Sequence, residues 1–283
     1  MKKQESNIQE KHSIYYNCSA DEVVKKHMRK TRVTGWTSIV ILVALLVYIL
    51  FQKLTLATWG LVLIEVIVFL ICKLLVHVRT MHLRDIFVFD CDPIKFYDVM
   101  DVLEKKVKKQ RAKSTIFLYK AQCCRCIKER ETEGLEYLKK VKFKKLTMQA
   151  ESIRLNEFAN YSVLNKDRPS FDAVKKDLEK LPNRIHKQYK TEKQLYQQVM
   201  NYVTLHELMW DERNTEAREL ANHLLDQQTT TLNKVGIHMK LAKLDIVDDE
   251  YVNAKAHLDY VVAHGNLLSV VDEARALLDK CVL

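Results

Sequence analysis

The sequence predicts an all-α protein in two parts, an N-terminal transmembrane helical hairpin followed by an α-α solenoid. Three observations carry that prediction. Only 5 Gly and 3 Pro occur in 283 residues, against typical usage of about 7% and 5% for those two residues, which argues against turn-rich β architectures and glycine-built phosphate loops. Two apolar runs stand close together between residues 36 and 72. Beyond them, apolar residues recur at three- and four-residue steps to the C-terminus, the period of an amphipathic helix.

Taken in order, residues 1–34 form a basic arm in which SADEVVKKHMRK offers Ser19 and Glu22 as a capping box. A short basic helix is expected to lead from it into the first span. WTSIVILVALLVYILF, Trp36 to Phe51, carries no charge, and LTLATWGLVLIEVIVFLIC, Leu54 to Cys72, carries only Glu65. A bilayer core about 30 Å thick needs roughly 17 to 25 helical residues, and both runs reach that with a few flanking positions. Residues 35–77 are therefore read as a hairpin with a tight turn at Gln52–Thr55. A cleaved signal peptide is disfavoured, because a long polar arm precedes the first run and a second run follows it at once.

Lys25, Lys26, Arg29, Lys30 and Arg32 precede the first span, and Lys73, Arg79 and Arg84 follow the second; the turn has Lys53. Retained cytoplasmic segments carry such excess. Both termini are expected on the cytoplasmic side of the cell (inner or plasma) membrane, with Trp36 and Trp59 as interfacial anchors.

Glu65 is costly at mid-span, at about 2.5 to 3.5 kcal/mol on insertion scales, which the surrounding Leu, Ile, Val and Phe offset. Thr58, Glu65 and Cys72 lie at steps of seven, hence on one helix face, which should turn toward protein rather than lipid. Tyr48 and Ala44 of the first helix fall at comparable depth, one able to donate a hydrogen bond and the other to permit close approach. Two readings stand: a protonated, hydrogen-bonded structural glutamate, or a contact with an oligomer mate or larger membrane partner.

The cytosolic domain is assigned to residues 85–283. Asp92-Pro93 is an N-cap followed by proline at the first helical position, and Phe96, Met100, Leu103 and Val107 continue as an apolar stripe. Helices then come in pairs. Residues 116–130 precede 131–143, 147–167 precede 168–181, 192–210 precede 211–225, and 233–247 precede 248–262. With Gly134, Phe171, Ala217 and Ala254 as marks, the spacings are 37, 46 and 37 residues. One such pair cannot bury its stripe alone, so pairs are expected to stack around a continuous core. Gly265-Asn266 is the last stop, after which Leu267, Val271, Ala274 and Leu278 should face inward on a capping helix.

Leu241-Ala242 before Ala254, Leu258 and Val261, and Gly134, Leu138 and Val141 in the first pair, resemble the small-and-large pattern of tetratricopeptide repeats (TPR). The chain departs from that pattern at Asp245, where an aromatic would stand. Through FDCDPIKFYDVMDVL and AKAHLDYVVAHGNLLSVVDEARALL, residues 85–283 also resemble the cytosolic parts of uncharacterised bacterial two-span membrane proteins. The resemblance implies a TPR-like helical-repeat scaffold for protein contacts, and it brings no catalytic residues.

Few residues suggest chemistry. The seven cysteines have an odd count and no regular spacing, which reads as reduced thiols. In CCRC, Cys123 and Cys126 share a helix face while Cys124 turns away, and no second ligand pair stands near, so metal binding is disfavoured. His206-Glu207-Leu208-Met209-Trp210 begins like a zinc-protease helix but has tryptophan where the second histidine belongs. The net charge of +10 favours anionic lipid, nucleic acid or acidic protein as a partner. It concentrates in LEKKVKKQRAK (103–113) and in LKKVKFKKL (138–146), whose Lys139, Lys140, Lys142, Lys144 and Lys145 suit a solvated helix face or the anionic inner leaflet. No aromatic platform or groove-reading motif accompanies that charge, so nucleic acid is disfavoured.

The sequence reading is thus a membrane-anchored scaffold for a protein partner, without cofactor or metal. An accessory subunit of a membrane transporter or secretion complex, docked through the hairpin, is the alternative. No convergent nucleophile, acid-base or metal set supports an enzyme. Oligomerisation through the hairpin is compatible with both readings.

Overall fold

In a computed structural model of the chain, the described residues are 12–51, 56–142, 148–184 and 189–282. They form twelve α-helices and no strand. These are α1 (Ala20–Leu50), α2 (Leu56–Val88), α3 (Pro93–Lys106), α4 (Gln110–Arg125), α5 (Glu131–Lys140), α6 (Met148–Leu164), α7 (Arg168–Arg184), α8 (Lys190–Trp210), α9 (Asn214–Gln227), α10 (Thr231–Val247), α11 (Tyr251–His264) and α12 (Val270–Leu278). The chain divides into two compact units, Met1–Ile86 and Phe87–Leu283.

In the first unit, the Ser19 backbone N–H donates to Glu22 at 3.0 Å, and the Glu22 N–H donates to Ser19 Oγ at 3.4 Å. This capping box starts α1, which then runs without a break into the apolar run. Both α1 and α2 contain segments long and apolar enough to cross a membrane, Ala20–Tyr48 and Gly60–Val88. At 29 residues each, they are about 44 Å long at the α-helical rise. The turn expected at Gln52–Thr55 lies outside the described residues, as do the side chains of Thr58 and Trp59. α2 continues past residue 77, where the sequence reading ended the hairpin, because no Gly or Pro interrupts it before Val88.

The second unit begins in apolar packing. Phe87 is buried just before the unit's first turn and stacks on Phe96 of α3 at 5.7 Å. Asp92 caps α3 as its spacing predicted, its carboxylate accepting from the Lys95 N–H at 2.9 Å. Phe96, Met100 and Leu103 form the buried stripe.

α5, α7 and α9, the second helices of the first three pairs, are each wedged between two first helices. Leu138 of α5 lies with Leu118 and Ala121 of α4 and Tyr161 of α6. Phe171 and Leu178 of α7 lie with Leu155 and Ala159 of α6 and with Val199 and Val203 of α8. Ala217, Ala221 and Leu224 of α9 lie with Leu205 and Leu208 of α8 and with Ile237 and Leu241 of α10. Each of these three cores draws on the first helix of the next pair.

The marks fall in equivalent places. Gly134, Phe171, Ala217 and Ala254 are each the fourth residue of their helix, and all are buried. Five residues before each mark the backbone is left-handed, with φ of 64° at Glu129, 55° at Lys166, 58° at Glu212 and 59° at Asp249. At the last three turns the next N–H reaches back five residues: Asp167 to Ser162 O at 2.8 Å, Arg213 to Leu208 O at 2.9 Å, and Glu250 to Asp245 O at 2.8 Å. This is the Schellman closure, here built without the usual glycine. Gly134 itself has a different task. A Cβ there would stand 1.7 Å from Tyr161 Oη and 2.9 Å from Cys124 Cβ, so only glycine lets α4, α5 and α6 meet.

The C-terminal end departs from expectation. The left-handed residue is Asn266 (φ 47°), not Gly265; Gly265 is needed for room, since a Cβ would lie 2.4 Å from Val271 Cγ2. Residues 265–269 form a turn, so α12 starts only at Val270. That shift leaves Leu267 exposed and buries Leu268 in its place, while Val271 and Ala274 are buried as expected.

The same turn docks on the start of the unit. The Leu267 N–H donates to Cys91 O at 3.3 Å and the Ser269 N–H to Cys126 O at 2.9 Å. Asn266 Nδ2 donates to Asp90 O at 2.7 Å. The succession of helix pairs therefore closes on itself, with the end of α11 held against the turns before α3 and after α4.

Candidate functional site

In the hairpin, Arg79 of α2 donates to Lys30 O at 2.7 Å and to Thr34 Oγ1. Cys72 and Glu65 stand one and two sevens before Arg79, so they share its α1-facing side. Tyr48 stands two sevens after Thr34 and shares that residue's side of α1. In an antiparallel pair, Glu65 and Tyr48 are therefore in register. Glu65 is half-buried while Tyr48 is 52% exposed. Among the described residues neither side chain has a hydrogen-bond partner. Ala44, one turn before Tyr48, is exposed as well.

The lysine face is shorter than its alternation suggested. α5 ends at Lys140, and Val141 is extended. Lys142 leaves the helix because its backbone is captured by Ser114 of α4, whose Oγ donates to Lys142 O at 2.7 Å and accepts its N–H at 3.0 Å. Lys139, Lys140 and Lys142 are exposed, and Lys140 Nζ lies 5.3 Å from the Tyr137 ring centroid. Lys144 and Lys145 lie outside the described residues.

Cys123, Cys124 and Cys126 are buried free thiols. Desolvation pushes the Cys124 thiol up to about 12, a range in which thiolate chemistry is suppressed. Among the described residues no group of three or more His, Cys, Asp or Glu side chains is placed to hold a metal. In the HExx stretch, Glu207 is engaged by Lys175 at 2.6 Å, and Trp210 packs on Phe171.

Polar groups that the sequence reading passed over gather in three places. Lys120 of α4, 2% exposed, bonds Asp101 at 2.9 Å and Glu104 at 2.8 Å, and lies over the Tyr97 and Tyr137 rings. Burial works against its charge, and the carboxylates of Glu104 and Asp101 override that and raise its pKa.

The second place explains Asp245. That carboxylate is buried, with Arg218 at 3.0 Å and His257 Nε2 at 3.7 Å. His257 Nδ1 in turn meets His238 Nδ1 at 2.8 Å, so one nitrogen must donate and the other accept. His238 stacks on Tyr260, which is followed by His264. Burial, then the neighbouring His257, His264 and Lys234, bring His238 down to about 4. Burial also lowers His257, against the opposing pull of Asp245.

The third place draws on four first helices. Arg125 at the end of α4 bonds Glu157 of α6 at 3.0 Å, and Gln122 donates to the other Glu157 oxygen at 3.2 Å. The Arg125 charge also reaches His206 of α8 and Lys240 of α10. Burial drives the His206 imidazole well below its ordinary value, with Lys240, Arg125 and Lys243 adding. No motif announces this group, because its members lie tens of residues apart.

Comparison with protein-family models, with curated proteins and with solved structures finds no match to this chain.

Proposed function

We propose that the protein is a membrane-anchored helical-repeat scaffold that holds a protein partner at the cytoplasmic face of a membrane. The observation that carries this reading is the recurrence of one helix-turn-helix unit. The buried fourth residue returns four times and the five-residue back-bond of the turn three times, in a chain that starts with two long apolar helices. Units of this kind, each completed by its neighbour, present extended faces to which a protein segment docks. The small residues Gly134, Ala217 and Ala254 at equivalent positions favour a TPR-like class. The basic flanks of the spans favour both termini in the cytoplasm, and exposed Lys139, Lys140 and Lys142 would rest near anionic lipid. No covalent chemistry enters the proposal.

A second reading, an accessory subunit docked through the hairpin, is favoured by Glu65, an unpartnered carboxylate on the inward face of α2. Intramembrane carboxylates often mark such contacts. Pull-down from detergent-solubilised membranes, with the full chain and residues 85–283 as parallel baits, separates the two. Capture of the same soluble protein by both baits supports the scaffold. Capture of a membrane protein by the full chain alone, lost on Glu65→Ala, overturns it in favour of the subunit.

A further inference from the structure

The two basic stretches stand apart in the sequence and meet in the fold. Lys108 and Lys109 lie between α3 and α4, and Arg111 is in the first turn of α4; Lys139 and Lys140 end α5, and Lys142 follows it. Ser114 of α4 ties them together, donating to the Lys142 carbonyl at 2.7 Å and accepting the Lys142 N–H at 3.0 Å. The end of α3, the start of α4 and the end of α5 therefore lie side by side, and the cations they carry are all exposed.

The carboxylates that precede this surface are already engaged. Asp101 holds Lys105 at 2.7 Å and the buried Lys120 at 2.9 Å, and Glu104 holds Lys120 at 2.8 Å. Among the described residues none of these exposed cations has a carboxylate within ion-pair distance, Glu136 of α5 included. α4 also opens without a side-chain cap, which adds the positive end of its dipole to the same surface. The charge there has no counterpart within the described chain.

The surface carries charge and little else. Val107 and Tyr137 are half-buried and Val141 is buried, so no large apolar side chain stands out among the cations. Protein interfaces and single nucleic-acid strands are held largely through such side chains. A plane of anionic headgroups is held by charge.

We propose that this surface binds anionic lipid headgroups and gives the second unit an attachment to the bilayer of its own. The inference rests on the membrane-anchored reading and deepens it, because Lys108, Lys109 and Arg111 act with the α5 lysines as one surface. Each Lys or Arg at an anionic leaflet changes partitioning about fivefold, the equivalent of about 1 kcal/mol. Contact between exposed charges is also screened by salt. The start of α4 is then the end that meets the headgroups. Its other end, 16 residues on and about 24 Å away, lies beyond the Debye length; exposed Lys128 marks it.

The test is amine labelling of the full chain in nanodiscs of phosphatidylcholine alone or of an equimolar mixture with phosphatidylglycerol, read by mass spectrometry at Lys139, Lys140 and Lys128. An anionic leaflet concentrates protons at its surface about three- to sevenfold, so labelling of Lys139 and Lys140 should slow by that factor in the anionic discs. High salt should restore it, and Lys128 should not change. Replacing Lys108, Lys109 and Arg111 together by Gln should weaken the protection of Lys139 and Lys140; undiminished protection overturns the joint surface. A chain that enters both kinds of disc and labels alike in them overturns the lipid contact and leaves the anchor standing, whereas a chain that enters neither overturns both. Equal protection of Lys128 overturns the inference, as does protection of Lys139 and Lys140 by polyglutamate or a DNA duplex but not by phosphatidylglycerol.

Discussion

The two units are built inside out with respect to each other. In α1 and α2 the large apolar side chains point outward, with Val40, Leu63 and Leu74 about 60% exposed, and the polar contacts of Arg79 lie between the helices. From α3 onward most large apolar side chains are interior, Val247 and Val252 being among the exceptions. This is the sidedness that the proposed membrane insertion requires: a hydrocarbon surround rewards an apolar exterior and leaves small or polar residues for the seam, whereas water drives apolar area into a core. The glycines show it locally: a Cβ at Gly35 or Gly60 meets nothing within 4 Å, as at the open position Gly236 of α10, while one at Gly134 collides with Tyr161.

The largest expected effect comes from breaking that contrast at Gly134. Tyr161 is fully buried and its hydroxyl donates to Ala121 O at 2.7 Å, so it cannot swing aside without losing the bond. Gly134→Ala should destabilise the second unit by about 3 kcal/mol, whereas Gly60→Ala should be neutral or stabilising by up to about 1 kcal/mol. Thermal melts of the two variants in one detergent read both values; equal melts would mean that α4, α5 and α6 do not meet as described.

Acid should act next, through His238 of the second unit. His238 titrates at 6.5 when unfolded and at about 4 when folded. The unfolded chain therefore binds more protons in that window. Stability is complete above it and is lost as pH falls through it. After allowance for solvent screening, the loss is about 1 to 2 kcal/mol. His238→Asn should make the dependence between these pH values shallower, leaving the share of His206 and His257, whose burial acts in the same direction; an unchanged slope would place the titration elsewhere.

Smaller gains are expected at the left-handed turn positions. Lys166→Gly, Glu212→Gly and Asp249→Gly each relieve a strained φ and should stabilise by roughly 0.5 to 1 kcal/mol. The same exchange in α1 or α2, where φ is helical, should destabilise by a similar amount. The smallest effect is reserved for Glu65→Gln, which keeps the hydrogen-bonding capacity and should leave insertion and association unchanged. Loss of assembly with Gln, measured by crosslinking in membranes, would make the carboxylate a recognition element.

What could be read beforehand was local. The Ser19–Glu22 box, the Asp92-Pro93 cap, the two apolar runs and the helix pairs all depend on residues within one or two turns of each other. The marks Gly134, Phe171, Ala217 and Ala254 landed on equivalent buried positions because a shared fourth-residue role leaves a period in the chain. The turn type escaped notice, since its left-handed residues are Lys, Glu and Asp where glycine would have signalled it. The lysine face was overextended because Ser114, 28 residues away, ends the helix. The pair of Arg125 and Glu157 was unreadable for the same reason: a half-buried cation within an amphipathic helix looks like surface until the helices around it are placed.

The bond from Asn266 to Asp90 spans 176 residues, and this bears on the order of events at the ribosome. At about 5 to 20 residues per second, that stretch takes roughly 10 to 35 seconds to synthesise. The hairpin is made first, and α3 and α4 must then wait for the turn that completes their surroundings. For that interval Cys91 and Cys126 lack the turn that later donates to their carbonyls, so the early pairs exist as an unfinished and aggregation-exposed assembly.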